Sequence, residues 1–135
     1  MKVRLAVVSD IAAVKIIADR ERNILGFVNS TALVESVGRD QLYVAVTDNN
    51  EVVGFANCWR RMDGWHTIQE LCVSFSHRAN GAGRALIATI PKPIRLKCLA
   101  GNDQANQFYR HLGFVVVATI PASDKKRELY LWHLT

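Results

Sequence analysis

The feature that most constrains the fold is a strand-like run that passes through a short glycine-bearing loop into an apolar helix. The run from Thr67 to Phe75 is rich in Ile, Leu, Val and Phe, which predicts a strand. The polar loop after it contains Gly81 and Gly83, and the apolar segment beyond Arg84 ends at Pro91, a residue that stops helices. We expect the loop's backbone N–H groups and the helix N-terminus to face one concave, anion-binding surface.

Turn and cap residues divide the rest of the chain into short elements. Ser9 is predicted to cap a helix over 10–21, and a loop is expected over 22–30. Further helices are predicted over 31–37 and from 102 or 103 to 113. Strands are predicted over 3–8, 41–46, 51–59, 94–99, 114–120 and 128–134. This mixture of helices and strands predicts an α/β fold with a mixed sheet and helices on both faces.

Length and composition limit the class of protein. The 135 residues suit one domain spanning 1–135, and no apolar run is long enough to cross a bilayer. No signal peptide is recognised at the start, so a cytoplasmic location is expected. The net charge of +5 favours anionic partners, but the basic residues are scattered. The odd set Cys58, Cys72 and Cys98 predicts buried reduced thiols, and the four histidines lack metal-ligand spacing, so no metal is expected.

A second motif lies on the helix predicted after residue 102. Asn102, Ala105 and Tyr109 are spaced by three and four residues, which places them near one helical face. A small alanine leaves room for a ligand along that face, and Tyr109 presents a phenol. The same residues also fit an ordinary helix in which Asn102 is the cap and Tyr109 belongs to the core.

Taken together, the two motifs resemble those of the GNAT superfamily of acyl-CoA N-acyltransferases. The resemblance is carried by Leu71–Leu86, with its Arg78-x-x-Gly81-x-Gly83 signature, and by Asn102–Phe114. The order of elements matches that family along nearly the whole chain. Two departures are Phe75, where the family usually has a turn former, and Pro91, which shortens the following helix. The resemblance implies a central, mostly antiparallel mixed sheet whose central strands splay apart.

The resemblance also implies acetyl-CoA as acyl donor. Backbone groups of the splayed strand would pair with the pantetheine arm, and the loop N–H groups would hold the diphosphate. The implied cofactor-binding residues are Leu71, Cys72, Val73, Arg78, Ala79, Asn80, Gly81, Ala82, Gly83, Arg84, Asn102 and Tyr109.

For catalysis, the resemblance assigns Tyr109 to protonation of the departing thiolate, and one N–H near Val73 to the oxyanion. Glu70 is the first candidate for the general base that deprotonates the amine, with His66 or water as the alternatives. The acceptor pocket is expected to include Asn23, Phe27 and His66, and Trp59 and Trp65 are further candidates.

The resulting hypothesis is an N-acetyltransferase that moves an acetyl group directly to the amine of a small molecule, peptide or protein. The alternatives are a non-catalytic CoA-binding module and an acyltransferase acting on aminoacyl-tRNA. Nucleic acid is not an expected partner, because the sequence lacks a basic–aromatic RNA-binding pattern. The resemblance implies a homodimer, for which 114–118 or 129–134 would supply an edge.

Overall fold

The computed structural model describes the backbone of residues 1–135 and every side chain except those of Asn23, Ile24 and Ala79. The chain divides into two compact units. The first unit contains Met1–Trp59 and Gln69–Ile90, and the second contains Arg60–Ile68 and Pro91–Thr135.

The secondary structure is a mixed α/β arrangement around one seven-stranded sheet. The strands are β1 (Lys2–Leu5), β2 (Leu42–Val46), β3 (Val52–Arg60), β4 (His66–Val73), β5 (Ile94–Leu99), β6 (Val115–Pro121) and β7 (Glu128–Leu134). The α-helices are α1 (Ile11–Arg20), α2 (Arg22–Leu25), α3 (Ser30–Gly38), α4 (Ala82–Thr89) and α5 (Asp103–His111). Every described pairing is antiparallel except that of β4 with β5. The predicted mixed, mostly antiparallel sheet is therefore confirmed.

In the first unit the strands follow the order β1-β2-β3-β4. The predicted hairpin is present, because Thr47 N–H donates to Glu51 O at 3.0 Å and β2 pairs antiparallel with β3. Apolar side chains of α1, α3, β2 and β3 form the core, in which Val14, Leu33 and Phe55 are fully buried. Burial of this apolar surface is the main source of the unit's stability.

In the second unit the strands follow the order β4-β5-β7-β6. The first three residues of β4, His66–Ile68, pair in parallel with Ile94–Leu96 of β5. Strand β7 lies between β5 and β6, and its Trp132 is buried. The expectation that residues 129–134 supply a free edge was therefore wrong, because both sides of β7 are hydrogen-bonded within the unit. Strand β6 is the outermost strand of this order.

The start of α1 differs from the prediction. Ser9 does not cap the helix, because a 3-10 turn over Val8–Asp10 precedes Ile11. The polar group that organises this turn is the carboxylate of Asp10, which accepts the N–H of Val7 at 2.8 Å and the guanidinium of Arg4 at 2.7 Å. A carboxylate bound by a guanidinium competes well with a serine hydroxyl for this position.

Two local assignments were also wrong. Part of the loop expected over 22–30 is the short helix α2, which ends at Gly26 with φ of 73°. Phe75 was predicted to end β4, but it lies outside the strand. The N–H of Ser74 still donates to Val53 O on β3, and the chain then enters a 3-10 turn over Phe75–Asn80. The Phe75 side chain is 82% exposed, which is unusual for a residue of its size.

No helix in the described part of the chain is long and apolar enough to span a membrane. The described His, Cys, Asp and Glu side chains also contain no group of three that could hold a metal ion.

Candidate functional site

A cavity of about 290 Å³ opens in the first unit, where α2, the segment after it and α3 approach β3 and β4. Its lining mixes apolar side chains with two carboxylates, one guanidinium and several amides. The lining residues are Leu25, Phe27, Val28, Asn29, Ala32, Leu33, Glu35, Ser36, Arg39, Gln41, Asn57, Trp59, Gln69 and Glu70. A cavity of this size and composition can hold a small polar ligand or the end of a larger one.

Glu70, the first candidate for the general base, lies in this cavity and is held by Asn57. The Nδ2 atom of Asn57 donates a hydrogen bond to Glu70 Oε1 at 3.1 Å. Burial raises the pKa of Glu70, and the hydrogen bond from Asn57 partly offsets that rise. A carboxylate with a raised pKa is a stronger base than an exposed one, which suits it to remove a proton near neutral pH.

Asn57 is a residue that the sequence analysis missed. It stands on β3, where Phe55, Asn57 and Trp59 alternate onto one face of the strand. Only 4% of Asn57 is exposed, and its Oδ1 atom is buried with no hydrogen-bond partner among the described residues. Leaving such an acceptor unpaired costs about 1–3 kcal/mol. The sequence does show an asparagine within an otherwise apolar strand, but this pattern alone does not indicate which residue the amide contacts.

Two of the aromatic candidates for the acceptor pocket, Phe27 and Trp59, line the same cavity as Glu70. Phe27 is 63% exposed, and two cations flank its ring: Lys15 Nζ lies 4.1 Å and Arg22 Cζ 5.0 Å from the centroid. Lys15 is also anchored to Val28 O at 2.7 Å. These contacts fix the aromatic ring at the cavity without covering it.

The other acceptor candidates do not join this group. The side chain of Asn23 lies outside the described residues. His66 and Trp65 belong to the second unit, where the Trp65 ring packs 4.4 Å from that of His133 and beneath Arg95. Burial, and then the charge of Arg60, lower the pKa of His66. His66 is therefore neutral at pH 7, but it is not among the residues that line the cavity.

The glycine loop forms the turn that leads into α4. Gly81 is the N-cap of α4 in a left-handed conformation, with φ of 81°, and none of the described side chains caps the helix. A Cβ at Gly81 would meet no atom of the described residues within 4 Å, so the loop surface is open toward them at this point. The first N–H groups of a helix have no internal partner, and here Ala82, Gly83 and Arg84 carry them. This arrangement can bind an anionic group such as a phosphate.

Arg78, predicted to serve the same loop, is engaged elsewhere in its unit. Its guanidinium forms an ion pair with Glu21, and its Nε donates to Val73 O at 3.2 Å. Its Cζ also lies 5.3 Å from the ring centroid of Phe75. Arg78 therefore ties the end of β4 to the end of α1. Asn80 ends the 3-10 turn before Gly81, and the side chain of Ala79 lies outside the described residues.

The end of β4, Leu71–Val73, lies close against β3 because Gly54 has no side chain. A Cβ at Gly54 would lie 3.1 Å from Cys72 O and 3.2 Å from Val73 Cγ2. Burial is the main reason that the pKa of Cys72 rises to about 11. Its thiol is therefore protonated at neutral pH and is a poor nucleophile.

In the second unit, the predicted motif forms helix α5. Asn102 is its N-cap, with Oδ1 accepting the N–H of Ala105 at 3.3 Å. The ordinary interpretation of Asn102 as a helix cap is therefore confirmed. The sequence analysis missed Asn106, whose Nδ2 donates to Leu99 O and Ala100 O and whose Oδ1 accepts from Trp132 Nε1.

Tyr109 is buried on α5 between aromatic neighbours. Its ring lies 5.5 Å from those of Phe108 and Phe114 and 6.2 Å from that of Trp132. Burial, and then Cys98, raise the pKa of Tyr109 well above that of a free phenol. Its hydroxyl is therefore protonated at any physiological pH and can act as a hydrogen-bond donor.

Comparison with known proteins places this geometry in a family. The sequence model of the acetyltransferase (GNAT) domain matches residues 38–116, which is more than half of the chain. A curated relative, the uncharacterized N-acetyltransferase YjcF of Bacillus subtilis, is 27% identical over 90 residues. That match covers 63% of this chain and 64% of the relative.

Solved structures share the fold. Ard1 from Thermoplasma volcanium superposes with a TM-score of 0.84 at 22% identity, covering 99% of this chain and 97% of its own. The protein yncA from Salmonella typhimurium, solved with its cofactor acetyl-CoA, gives a TM-score of 0.77 at 21% identity, covering 100% and 93%. These likenesses agree with the family match, which covers β4, the glycine loop and all of α5, and the chain belongs to the GNAT family of acetyltransferases.

Proposed function

We propose that the protein is an N-acetyltransferase that moves the acetyl group of acetyl-CoA directly to an amine. The observation that carries this proposal is Glu70, a carboxylate with a raised pKa that lines a cavity of about 290 Å³ and is held by Asn57. Within a family of acetyltransferases, such a group is suited to accept the proton that the amine must lose.

Binding of acetyl-CoA is supported by the open glycine loop. The uncapped N-terminus of α4 offers the N–H groups of Ala82, Gly83 and Arg84 to the diphosphate, and exposed Arg84 adds positive charge. The resemblance places the pantetheine arm along the backbone of Leu71–Val73. An oxyanion needs a hydrogen-bond donor, and the group proposed for it is the backbone N–H of Val73 or one beside it. The carbonyl of Val73 accepts from Arg78 Nε at 3.2 Å.

In the proposed reaction, the amine nitrogen forms a bond to the thioester carbon and the C–S bond then breaks. Glu70 takes one proton from the amine, and the sulfur leaves as a thiolate that is protonated to CoA. Tyr109 is the proposed donor to that sulfur. Because burial raises its pKa, complete transfer from Tyr109 is uphill, so its main contribution is a hydrogen bond to the developing thiolate. The protonated thiol of Cys72 supports direct transfer without an acyl-enzyme.

Glu70 is preferred over His66 as the base because Glu70 lines the cavity with Phe27 and Trp59. These aromatic side chains suit an acceptor amine that carries an apolar or aromatic group. The cavity can admit either a small molecule or the end of a peptide. The proposal therefore includes both small-molecule amines and peptide amines as acceptors.

A homodimer is proposed on the basis of the family resemblance and the exposed valines of β6. Val115, Val116 and Val117 are 59%, 40% and 49% exposed on the outermost strand of the second unit. Unpaired apolar edges of this kind favour association with another strand. Free Cys58, Cys72 and Cys98 suit a reducing compartment, which supports the proposed cytoplasmic location.

The test of the proposed function combines calorimetry with acetyl-CoA and an assay of thiol release against a panel of amines and peptides. We expect acetyl-CoA to bind, and Tyr109→Phe to lower kcat by about 100-fold with little change in acetyl-CoA affinity. Tyr130→Phe, a tyrosine of β7, is the matched control and should leave kcat unchanged. Binding without thiol release on any amine would instead favour the non-catalytic CoA-binding module. Activity restricted to charged tRNA would favour the aminoacyl-tRNA alternative.

A further inference from the structure

Glu21 carries a carboxylate at the joint between α1 and α2. The residue is the C-cap of α1 and the N-cap of α2, and its carbonyl accepts the N–H of Leu25 at 2.9 Å. Its side chain makes no described capping bond to α2, although carboxylates are favoured at helix N-termini. The carboxylate instead forms an ion pair with the guanidinium of Arg78. The side chains are 21% exposed for Glu21 and 33% for Arg78, so a solute can reach the pair from solvent.

Arg78 belongs to the glycine loop and is held there by two further contacts. It lies three residues before Gly81, the N-cap of α4. Its Nε donates to Val73 O at 3.2 Å, and its Cζ lies 5.3 Å from the ring centroid of Phe75. The Nη2 atom of the same guanidinium donates to Glu21. Since the planar fork of a guanidinium fits a phosphate as well as a carboxylate, an anion bound at the loop competes with Glu21 for the same donor.

The ion pair lies beside the segment Leu71–Val73, which is proposed to bind pantetheine. Burial is the main cause of the raised pKa of Cys72, the middle residue of that segment. The charge of Glu21 raises this pKa further, and the charge of Arg78 lowers it. Because such effects weaken with distance, both charged groups are near Cys72. An anionic cofactor bound along this segment therefore lies close to the negative charge of Glu21 as well as to the positive charge of Arg78.

We propose that Glu21 is an internal competitor of acetyl-CoA: its carboxylate holds Arg78 in the free protein, and the diphosphate of acetyl-CoA takes its place on binding. This inference rests on the proposed function and adds a residue that sets the affinity for the acyl donor. The exchange favours the diphosphate, which carries more negative charge than a carboxylate, because a partly exposed ion pair is weak. Since acetyl-CoA and the product CoA share the diphosphate, Glu21 lowers the affinity for both.

The test is calorimetry with acetyl-CoA on a double-mutant cycle. Glu21→Gln removes the charge and keeps the size of the side chain, and we expect acetyl-CoA to bind about 3- to 5-fold more tightly. In an Arg78→Ala background the same substitution should change the affinity by less than about 1.5-fold, because the guanidinium is absent. Glu51→Gln, an exposed residue before β3, changes the net charge equally and is the matched control. No tightening in Glu21→Gln, the same tightening in Glu51→Gln, or the same tightening without Arg78 would overturn the inference.

A second measurement follows Arg78 directly. Its Nε–H signal is assigned in the ¹⁵N spectrum as the one that disappears in Arg78→Ala, and inorganic diphosphate is the probe. We expect diphosphate to shift this signal at lower concentration in Glu21→Gln than in the wild type. Equal concentrations in the two proteins, or no shift in either, would overturn the inference. Tighter binding of acetyl-CoA to Glu21→Gln without thiol release on any amine would count against the proposed function alone. Normal turnover with equal affinities in the two proteins would count against this inference alone.

Discussion

Trp132 Nε1 donates a hydrogen bond to Asn106 Oδ1 at 3.0 Å inside the second unit. The amide nitrogen of Asn106 donates in turn to the carbonyls of Leu99 and Ala100. One buried asparagine thus joins α5, β7 and the end of β5, and both polar atoms of its side chain are used. Fully satisfied networks of this kind hold neighbouring elements in a single arrangement.

The first prediction concerns this network. Asn106→Ala should lower the free energy of unfolding by about 2–4 kcal/mol, because the indole N–H of Trp132 and the carbonyl of Ala100 lose the partner that Asn106 provides. The carbonyl of Leu99 keeps the N–H of Asn102 at 3.0 Å. Chemical denaturation followed by tryptophan fluorescence measures the change. Gln107→Ala, one residue along the same helix and exposed, is the control and should change stability by less than about 0.5 kcal/mol. Similar losses in the two variants would mean that the network contributes little.

Much of the fold could be predicted from the sequence because its signals are local. The hairpin at residues 48–50, the cap at Asn102 and the stop at Pro91 each depend on neighbours along the chain. The errors arose where a more distant group intervened. Arg4 draws Asp10 into a 3-10 turn, so Ser9 does not cap α1.

In the candidate site, too, the features that depend on local sequence could be predicted and those that depend on distant contacts could not. Glu70 and the glycine loop stand in recognisable patterns, and Glu70 indeed lines the cavity. Asn57 could not be assigned a role, because its hydrogen bond to Glu70 joins separate strands and depends on their relative placement. The contact of Arg78 with Glu21 spans 57 positions of the chain, so no local pattern could indicate that this arginine is already paired.

The second prediction concerns Gly54. Gly54→Ala should lower stability by about 1–3 kcal/mol, because the new Cβ would meet Cys72 O at 3.1 Å and force β3 and β4 apart. It should also weaken acetyl-CoA binding, since Leu71–Val73 are the residues proposed to pair with pantetheine. Denaturation and calorimetry measure the two effects. Gly38→Ala is the matched control, because a Cβ there meets nothing within 4 Å. If the two variants had the same stability and the same acetyl-CoA affinity, β4 would be able to shift away from the new Cβ at no cost.

The third prediction is kinetic and concerns the base. Glu70→Gln should lower kcat by about 100-fold, since an amide cannot accept the proton. In the wild type, burial raises the pKa of Glu70, so the acidic limb of the kcat profile should lie above the pH range of an ordinary glutamate. Glu35 and Arg39 are the other charged residues among those that line this cavity.

Asn57→Ala extends that test. The hydrogen bond from Asn57 lowers the pKa of Glu70, so its removal should move the acidic limb to higher pH. If the kcat profile of Glu70→Gln still has an acidic limb, that limb reports the titration of the amine substrate. The Glu70→Gln profile therefore serves as the internal control. An unchanged limb in Glu70→Gln would remove Glu70 from the role of base and return His66 or water to consideration.

The fourth prediction concerns stability and needs no substrate. The pKa of Glu70 is higher in the folded protein than the ordinary value of 4.5, so the folded state retains a proton that the unfolded chain has already released. The stabilisation that the bound proton gives the folded state is therefore fully present below pH 4.5. It is lost as the pH rises through the pKa of Glu70 in the folded protein. Glu70→Gln carries no such titration. Its stability relative to the wild type should rise with pH over that window and then level off. Urea denaturation at a series of pH values measures the difference, and a difference that falls with pH would show that Glu70 is stabilised as a carboxylate.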